Sequence, residues 1–151
     1  MSYSTRGEVR EMLKDEGLNT IIGDAFEESP EEREAKIGPL IDTAIEDADG
    51  EIDGYLAKRY NTPLSPVPKT INKFSKDLAV YNLFSRVGIE EDSKEKTYYN
   101  RYNAAIKFLT LVAEGKVSLG VEADDPDTTA ATGFTMKSSP RLFNRGSMKG
   151  M

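Results

Sequence analysis

Residues 47–56, DADGEIDGYL, concentrate groups that could bind a metal ion, because four acidic side chains stand among two glycines. Carboxylate oxygens are the ligands that Ca²⁺ and Mg²⁺ prefer in proteins. A calcium loop of the EF-hand type, however, ends with a glutamate at its twelfth position. A loop starting at Asp47 has Lys58 there, and one starting at Asp49 has Tyr60. The segment therefore does not match this calcium loop.

A second metal chemistry is a pair of Mg²⁺ ions held by helical carboxylates for phosphoanhydride hydrolysis, which would make the chain an all-α phosphohydrolase. The candidate ligands are Glu27, Glu28, Glu31, Glu32, Asp47, Asp49, Glu51 and Asp53. Two observations argue against a phosphohydrolase. Glu-rich helix surfaces are usual in acidic proteins, and the sequence has no P-loop, Gly-rich dinucleotide turn or nucleophile elbow. Histidine and cysteine are absent, which removes the commonest general base and thiolate zinc sites. We predict no enzymatic activity, no metal and no cofactor.

The acidic segment also carries the pattern of an amphipathic helix, with apolar residues at intervals of three and four. These residues are Ile37, Ile41, Ile45, Ala48, Ile52, Tyr55 and Leu56. The pattern predicts a helix from Ala35 that ends by Tyr60. The four acidic side chains of residues 47–56 are then expected mostly on its solvent face.

The two glycines of the acidic segment require a reason if it is helical, because each costs roughly 1 kcal/mol relative to alanine. Gly50 and Gly54 are four residues apart, so they lie on one helix face and would let another backbone approach closely. That backbone belongs either to the same subunit or to a neighbouring one. The candidate residues for such a subunit or helix contact are Gly50, Gly54, Tyr55 and Arg59.

The first part of the chain contains a further helix and an acidic connection. Thr5 and Glu8 form a capping-box pattern, which predicts a short helix that ends near Gly17. The stretch EESPEERE, residues 27–34, is either a solvated connection or a helix start. Three prolines in residues 60–68 end the long helix.

Two more helices are predicted after the prolines. The third begins with Pro68 in its first turn and ends at Gly88. The fourth runs from about Asp92 to Glu114, and its predicted inner stripe is Tyr99, Tyr102, Ile106, Leu109 and Val112 or Ala113. Tyr98, Tyr99 and Tyr102 are expected as half-buried packing residues rather than as a stacking platform. Residues 116–121 alternate and predict a short edge strand.

Charge divides the chain into a body and a tail. Residues 1–127 hold 26 acidic and 16 basic side chains, whereas residues 128–151 hold four basic and no acidic ones. We predict an all-α fold of about four helices in a compact bundle, with a short strand or hairpin and an extended C-terminal arm. The helical body spans residues 1–120, and the linker and arm span residues 121–151. No apolar run reaches membrane-spanning length, and the N-terminus lacks the pattern of a signal peptide, so no membrane contact is expected.

Several short motifs, read in order, resemble the Mu-like family of bacteriophage structural proteins, which are small head-to-tail connector or adaptor subunits. The motifs are EIDGYL at 51–56, RY at 59–60, PL at 63–64, GKVSLG at 115–120 and PRLFNRGSMKG at 140–150. Each motif alone is weak, but their combination is specific. The resemblance extends from about Tyr3 to Met151.

The resemblance implies a helical subunit of the virion, made in the bacterial cytoplasm, that forms a ring beneath the portal protein. The ring would hold about twelve copies through a heterologous interface that closes. It would join the capsid to tail or tail-terminator proteins, while DNA passes through the channel without specific binding.

The C-terminal arm is the expected docking element for the portal. Its candidate residues are Arg141, Leu142, Phe143, Arg145, Met148 and Lys149. Apolar anchors among cations suit docking into a groove, with the ordering entropy lost only on assembly. Two alternatives stay open on the sequence: a tail that binds nucleic acid, for which four cations are few, and a solvated tail without a partner.

Overall fold

The computed structural model describes residues 1–23, 29–89 and 94–121, and these ranges contain five α-helices and no strand. The helices are α1 (Arg6–Met12), α2 (Asp15–Ile22), α3 (Pro30–Leu56), α4 (Lys69–Ser85) and α5 (Lys96–Ala113). The predicted all-α class is confirmed. No helix in the described ranges is long and apolar enough to cross a membrane.

The edge strand predicted over residues 116–121 is wrong. This stretch follows α5 without a strand partner, and it packs Val117, Leu119 and Val121 against the core. The backbone N–H of Leu119 donates to the hydroxyl of Tyr60 at 3.1 Å instead of joining a ladder. The alternating apolar residues of this stretch pack against the helical core and do not form a strand.

The first predicted helix is in fact two. The capping box is present, with the Thr5 hydroxyl accepting from the Glu8 N–H and the Glu8 carboxylate accepting from the Thr5 N–H at 2.8 Å. The helix ends at Met12 rather than near Gly17, because Leu13 is extended (φ −87°, ψ 116°) and buried. Burying Leu13 in an extended conformation reorients the chain before α2 begins.

Helix α3 is longer than predicted and starts five residues earlier. Ser29 and Glu32 form a second capping box, with Pro30 in the first turn, so the acidic connection is largely a helix start. Its 27 residues correspond to about 40 Å of helix. The apolar stripe was predicted correctly, since Ile37, Ile41, Ile45, Ala48, Ile52 and Leu56 are all buried and only Tyr55 is half-buried.

The core lies where α3 packs against α4 and α5, with α1 and α2 covering one end. Helix α4 contributes Ile71, Phe74, Leu78, Ala79, Val80, Leu83 and Phe84, and α5 contributes Ala105, Leu109 and Val112. Fully burying one such large aliphatic or aromatic side chain is worth roughly 1.5–3 kcal/mol. The three-helix contact therefore dominates the stability of the body.

The predicted inner stripe of α5 was wrong at Tyr99, whose side chain is 44% exposed. Tyr98 takes the inward position and stacks on Phe84 with ring centroids 4.6 Å apart. Adjacent residues on a helix differ by about 100°, so only one of the two can face the core. Tyr102 is half-buried, as predicted.

The end of α5 is fixed by Arg59, which follows α3. The Arg59 guanidinium donates to the carbonyl of Val112 at 3.3 Å, and so satisfies a carbonyl in the last turn of α5. Gly115 has φ +79°, and a Cβ at this position would lie 2.8 Å from Arg59 Nη1. The positive φ favours glycine at this position, and a side chain here would also displace the guanidinium from the Val112 carbonyl.

We predict that Gly115→Ala lowers the free energy of unfolding by more than the roughly 1–2 kcal/mol of a left-handed residue with a side chain. The matched control is Gly120→Ala, because Gly120 has φ +73° but nothing within 4 Å of its Cβ position. Urea unfolding of both variants separates backbone strain from the clash with Arg59. Equal losses would show that the Arg59 contact contributes nothing.

Candidate functional site on helix α3

The acidic segment 47–56 lies in the C-terminal half of α3 and is helical throughout, so it forms no metal-binding loop. The described ranges contain no group of three or more acidic side chains placed to hold a metal ion. Glu27 and Glu28 of the magnesium hypothesis lie outside these ranges. Three carboxylates of the segment, those of Asp49, Glu51 and Asp53, instead accept hydrogen bonds from other parts of the chain.

Asp49 binds the N-terminal residues of the chain. Its Oδ2 accepts from the Ser2 hydroxyl at 2.7 Å and from the Tyr3 N–H at 3.1 Å, while Oδ1 accepts from the Ser75 hydroxyl at 2.9 Å. Ser4 and Ser75, both buried, have their hydroxyl oxygens 2.8 Å apart. Because Ser75 donates its proton to Asp49, Ser4 is the donor in that pair. One carboxylate thus joins α3, α4 and the N-terminus.

Tyr3 connects α3 to the proline-containing loop, residues 60–68, that follows it. Its side chain is buried, and its hydroxyl donates to Asp53 while accepting from the backbone N–H of Leu64 at 3.0 Å. Asn72 Nδ2 donates to the Tyr3 carbonyl at 2.9 Å. Burial, reinforced by the bond to Asp53, raises the pKa of the Tyr3 phenol well above its usual range. The N-terminal segment is therefore held by side chains from two helices.

On the opposite flank of α3, Glu51 binds Tyr102 of α5. The Tyr102 hydroxyl donates to Glu51 Oε1 at 2.9 Å, and its ring stacks on Tyr81 with centroids 4.1 Å apart. Burial and the bond to Glu51 raise the pKa of Tyr102 to about 12. Tyr55 is half-buried on the same side of the helix.

The expectation that the acidic side chains of the segment lie mostly in solvent is therefore wrong for three of them. Only Asp47 is exposed, whereas Asp49, Glu51 and Asp53 are half-buried and hydrogen-bonded. Their partners are hydroxyls and backbone N–H groups near α3, which the helical pattern of α3 alone does not reveal. The only local signal for Tyr3 is weak: an aromatic residue that stands just before a capping box.

Gly50 and Gly54 lie on the outer face of α3, away from the core. Both are exposed, and a Cβ at either position would have nothing within 4 Å in the described part of the chain. Close packing inside the body, one of the two explanations for these glycines, is therefore wrong there. Arg59 makes a helix contact, as described above. The arm residues Arg141, Leu142, Phe143, Arg145, Met148 and Lys149 lie outside the described residues.

The sequence profile of the family described as "Bacteriophage Mu, Gp36" matches residues 3–138 of this chain. The chain belongs to this family. It is also 32% identical over 110 residues to the Mu-like prophage FluMu protein gp36 of Haemophilus influenzae, which covers 73% of this chain and 74% of that protein. Membership in the gp36 family supports a bacteriophage structural protein. The matched residues include all of α3 and end before Arg141.

We predict that Gly50→Ala and Gly54→Ala each raise the free energy of unfolding by up to about 1 kcal/mol, because alanine favours the helix and the added methyl meets no neighbour. Gly38→Ala is a control in the same helix, since its Cβ would lie 3.1 Å from Arg6 Nη1 and the gain should be smaller. Thermal melts of the three variants provide the comparison. A loss of stability for Gly50→Ala would mean that this face is packed within the body.

Stability should fall as the pH rises above about 10. Tyr3 and Tyr102 keep their protons longer in the folded chain than in the unfolded one, so the native state binds more protons in this range. Tyr102→Phe should therefore show a shallower fall between pH 9 and 12 in denaturant titrations. Tyr99→Phe removes an exposed hydroxyl on the same helix and serves as the control. Parallel pH profiles for Tyr102→Phe and the unmodified chain would contradict this role.

Proposed function

We propose that this chain is a head-to-tail connector subunit of a Mu-like phage, which forms a ring of about twelve copies under the portal protein. The ring joins the capsid to tail or tail-terminator proteins, and DNA passes through it without specific binding. Function on this proposal is assembly and involves no catalysis. Membership in the gp36 family supports the phage role.

The observation that carries the assembly role is the bare outer face of α3. Gly50 and Gly54 together cost α3 roughly 2 kcal/mol of helix propensity, and in the described residues nothing packs where their side chains would be. An exposed helix face of this kind is suited to a contact between subunits that forms only on assembly. Asp49, Glu51 and Asp53 support the same conclusion, because their carboxylates are already used inside the body.

The C-terminal arm supplies the proposed attachment to the portal. Residues 128–151 carry four cations and no acidic side chain, whereas the body is strongly acidic. Leu142 and Phe143 stand between Arg141 and Arg145, so an apolar anchor is flanked by charges that orient it.

We predict that deleting residues 137–151 leaves a folded body that no longer binds purified portal rings. Binding of the full chain should weaken as salt rises from 0.1 to 1 M, because the screening length falls from about 10 to about 3 Å. Co-sedimentation with portal rings measures binding, and circular dichroism checks the fold of the truncated chain.

The matched control keeps the arm but replaces Arg141 and Arg145 by glutamine, which separates charge from the apolar anchor. This variant should bind more weakly than the full chain and show a smaller salt dependence. If the truncated chain sediments with portals as well as the full chain does, the arm is not the attachment element. Retention on DNA with no binding to portals would instead favour a nucleic-acid-binding tail.

A further inference from the structure

Charge is divided unevenly between the two helices that flank the core. Helix α3 contains nine acidic and two basic side chains, whereas α5 contains three basic and no acidic ones. Several of the α3 carboxylates are held inside the body, but Glu46 and Asp47 are exposed. The outward faces of α3 and α5 therefore carry opposite charge.

The outward face of α5 also exposes apolar surface. Tyr99 and Leu111 are 44% and 38% exposed, and they are two of the four large apolar side chains exposed in the described ranges. Asn100 and Lys107 lie exposed between them on the same face. Arg101 turns toward buried Asp77, with 3.8 Å between guanidinium and carboxylate, so Lys107 is the central cation of this face. Tyrosine at the edge of an apolar patch is typical of protein interfaces.

The outward face of α3 has the complementary shape. Its exposed residues from the middle of the helix onward are small or acidic: Pro39, Thr43, Glu46, Asp47, Gly50, Gly54 and Ala57, with Lys58 at the end. Without side chains at Gly50 and Gly54, the backbone of α3 is open to a partner that projects large side chains. An aromatic and a leucine on a helix with a central lysine meet that requirement.

We infer that the outer face of α5 in one copy of this chain packs on the outer face of α3 in a second copy. Lys107 then faces Asp47, and with the two helices antiparallel Tyr99 lies against Gly54, while Leu111, about 18 Å from Tyr99 along α5, lies near Thr43. The two faces are different surfaces of one subunit, so the contact is heterologous, repeats from copy to copy and closes into a ring when the rotation allows. The inference rests on the proposed ring, and it names the two faces that build it.

The second copy is favoured over other occupants by the chemistry of both faces. Nucleic acid would be repelled by the acidic outer face of α3. The cationic C-terminal arm of the same chain complements α3, but it leaves Tyr99 and Leu111 uncovered. The outer face of α5 is complemented by a partner face that is acidic and carries small side chains, and α3 of the chain itself presents such a face.

The absence of cysteine in the chain permits a direct test by cross-linking. Full-length Gly50→Cys and Asn100→Cys chains are mixed and treated with a short thiol-to-thiol cross-linker. A mixed dimer should form in several-fold excess over the mixture of Gly50→Cys with Glu11→Cys, since Glu11 is exposed on α1 outside both faces. Equal yields in the two mixtures would overturn the inference. Removal of residues 137–151 should not reduce the mixed dimer, whereas loss of the product would identify the arm as the occupant.

Charge reversal provides a second, independent readout. Asp47→Lys and Lys107→Glu should each weaken self-association by about tenfold, because like charges then face each other across the contact. The chain carrying both changes should recover association, since the pair is restored with its sign inverted. Analytical ultracentrifugation at low salt measures all three, and failure of the double variant to recover would contradict the pairing of these faces.

The outcomes also separate this inference from the connector proposal. If the cross-link and the charge swap succeed but the chain does not bind portals, the α3–α5 contact stands and the connector role fails. If the chain forms rings on portals but the cross-link and swap fail, the connector role stands and a different pair of faces builds the ring.

Discussion

The structure depends on a single constraint on α3: this helix must bury one face against α4 and α5 while its acidic side chains stay out of the apolar core. Ile41, Ala48 and Ile52 fill the buried face. A partly buried carboxylate without a hydrogen-bond partner would destabilise the fold, and the carboxylates on the two flanks of α3 all accept hydrogen bonds. Asp49 and Asp53 accept them from the N-terminal segment, and Glu51 accepts one from Tyr102. Together with the bond from Ser75 to Asp49, these carboxylates join α3 to the N-terminal segment, α4 and α5.

This arrangement assigns different roles to the faces of one helix. The inner face stabilises the body, the flanks fix the N-terminus and α5, and the outer face is exposed at Gly50 and Gly54, where we propose that a second copy packs. Because the flanking carboxylates are occupied, the segment retains only Asp47 as an exposed acid. An assembly role accounts for the bare glycines, whereas a role in metal binding would require carboxylates that are free to converge.

The sequence predicted the helices whose stripes are long and regular, and it failed where tertiary contacts decide. The stripe from Ile37 to Leu56 predicted the inner face of α3, because a period of 3.6 residues is a property of the chain itself. Leu13 ended α1 early because its burial outweighs local helix propensity, and Tyr98 displaced Tyr99 because only one of two neighbours can face the core. The capping box at Ser29 lies within an acidic stretch that fits a solvated connection equally well, so the sequence does not decide between the two.

The candidate site was predictable only in part for the same reason. Glycines four residues apart are a local signal that marks one helix face, but the sequence left open whether that face packs inside the body or against another subunit. Ser2 and Tyr3, which donate to Asp49 and Asp53, lie more than forty residues away along the chain, and Ser75 lies 26 residues from Asp49, so no local pattern could reveal these partners. The exposed face of α5 depends on which tyrosine packs inward, and that choice is made by Phe84.

The central claim is that α3 is a structural helix whose outer face is completed by another copy of the chain. The most direct measurement is an electron cryo-microscopy reconstruction of the full chain assembled on a portal ring. We predict density for residues 47–56 as continuous helix, with Gly50 and Gly54 covered by a neighbouring subunit. A reconstruction in which that face points into solvent, or in which the segment wraps around an ion, would contradict the account.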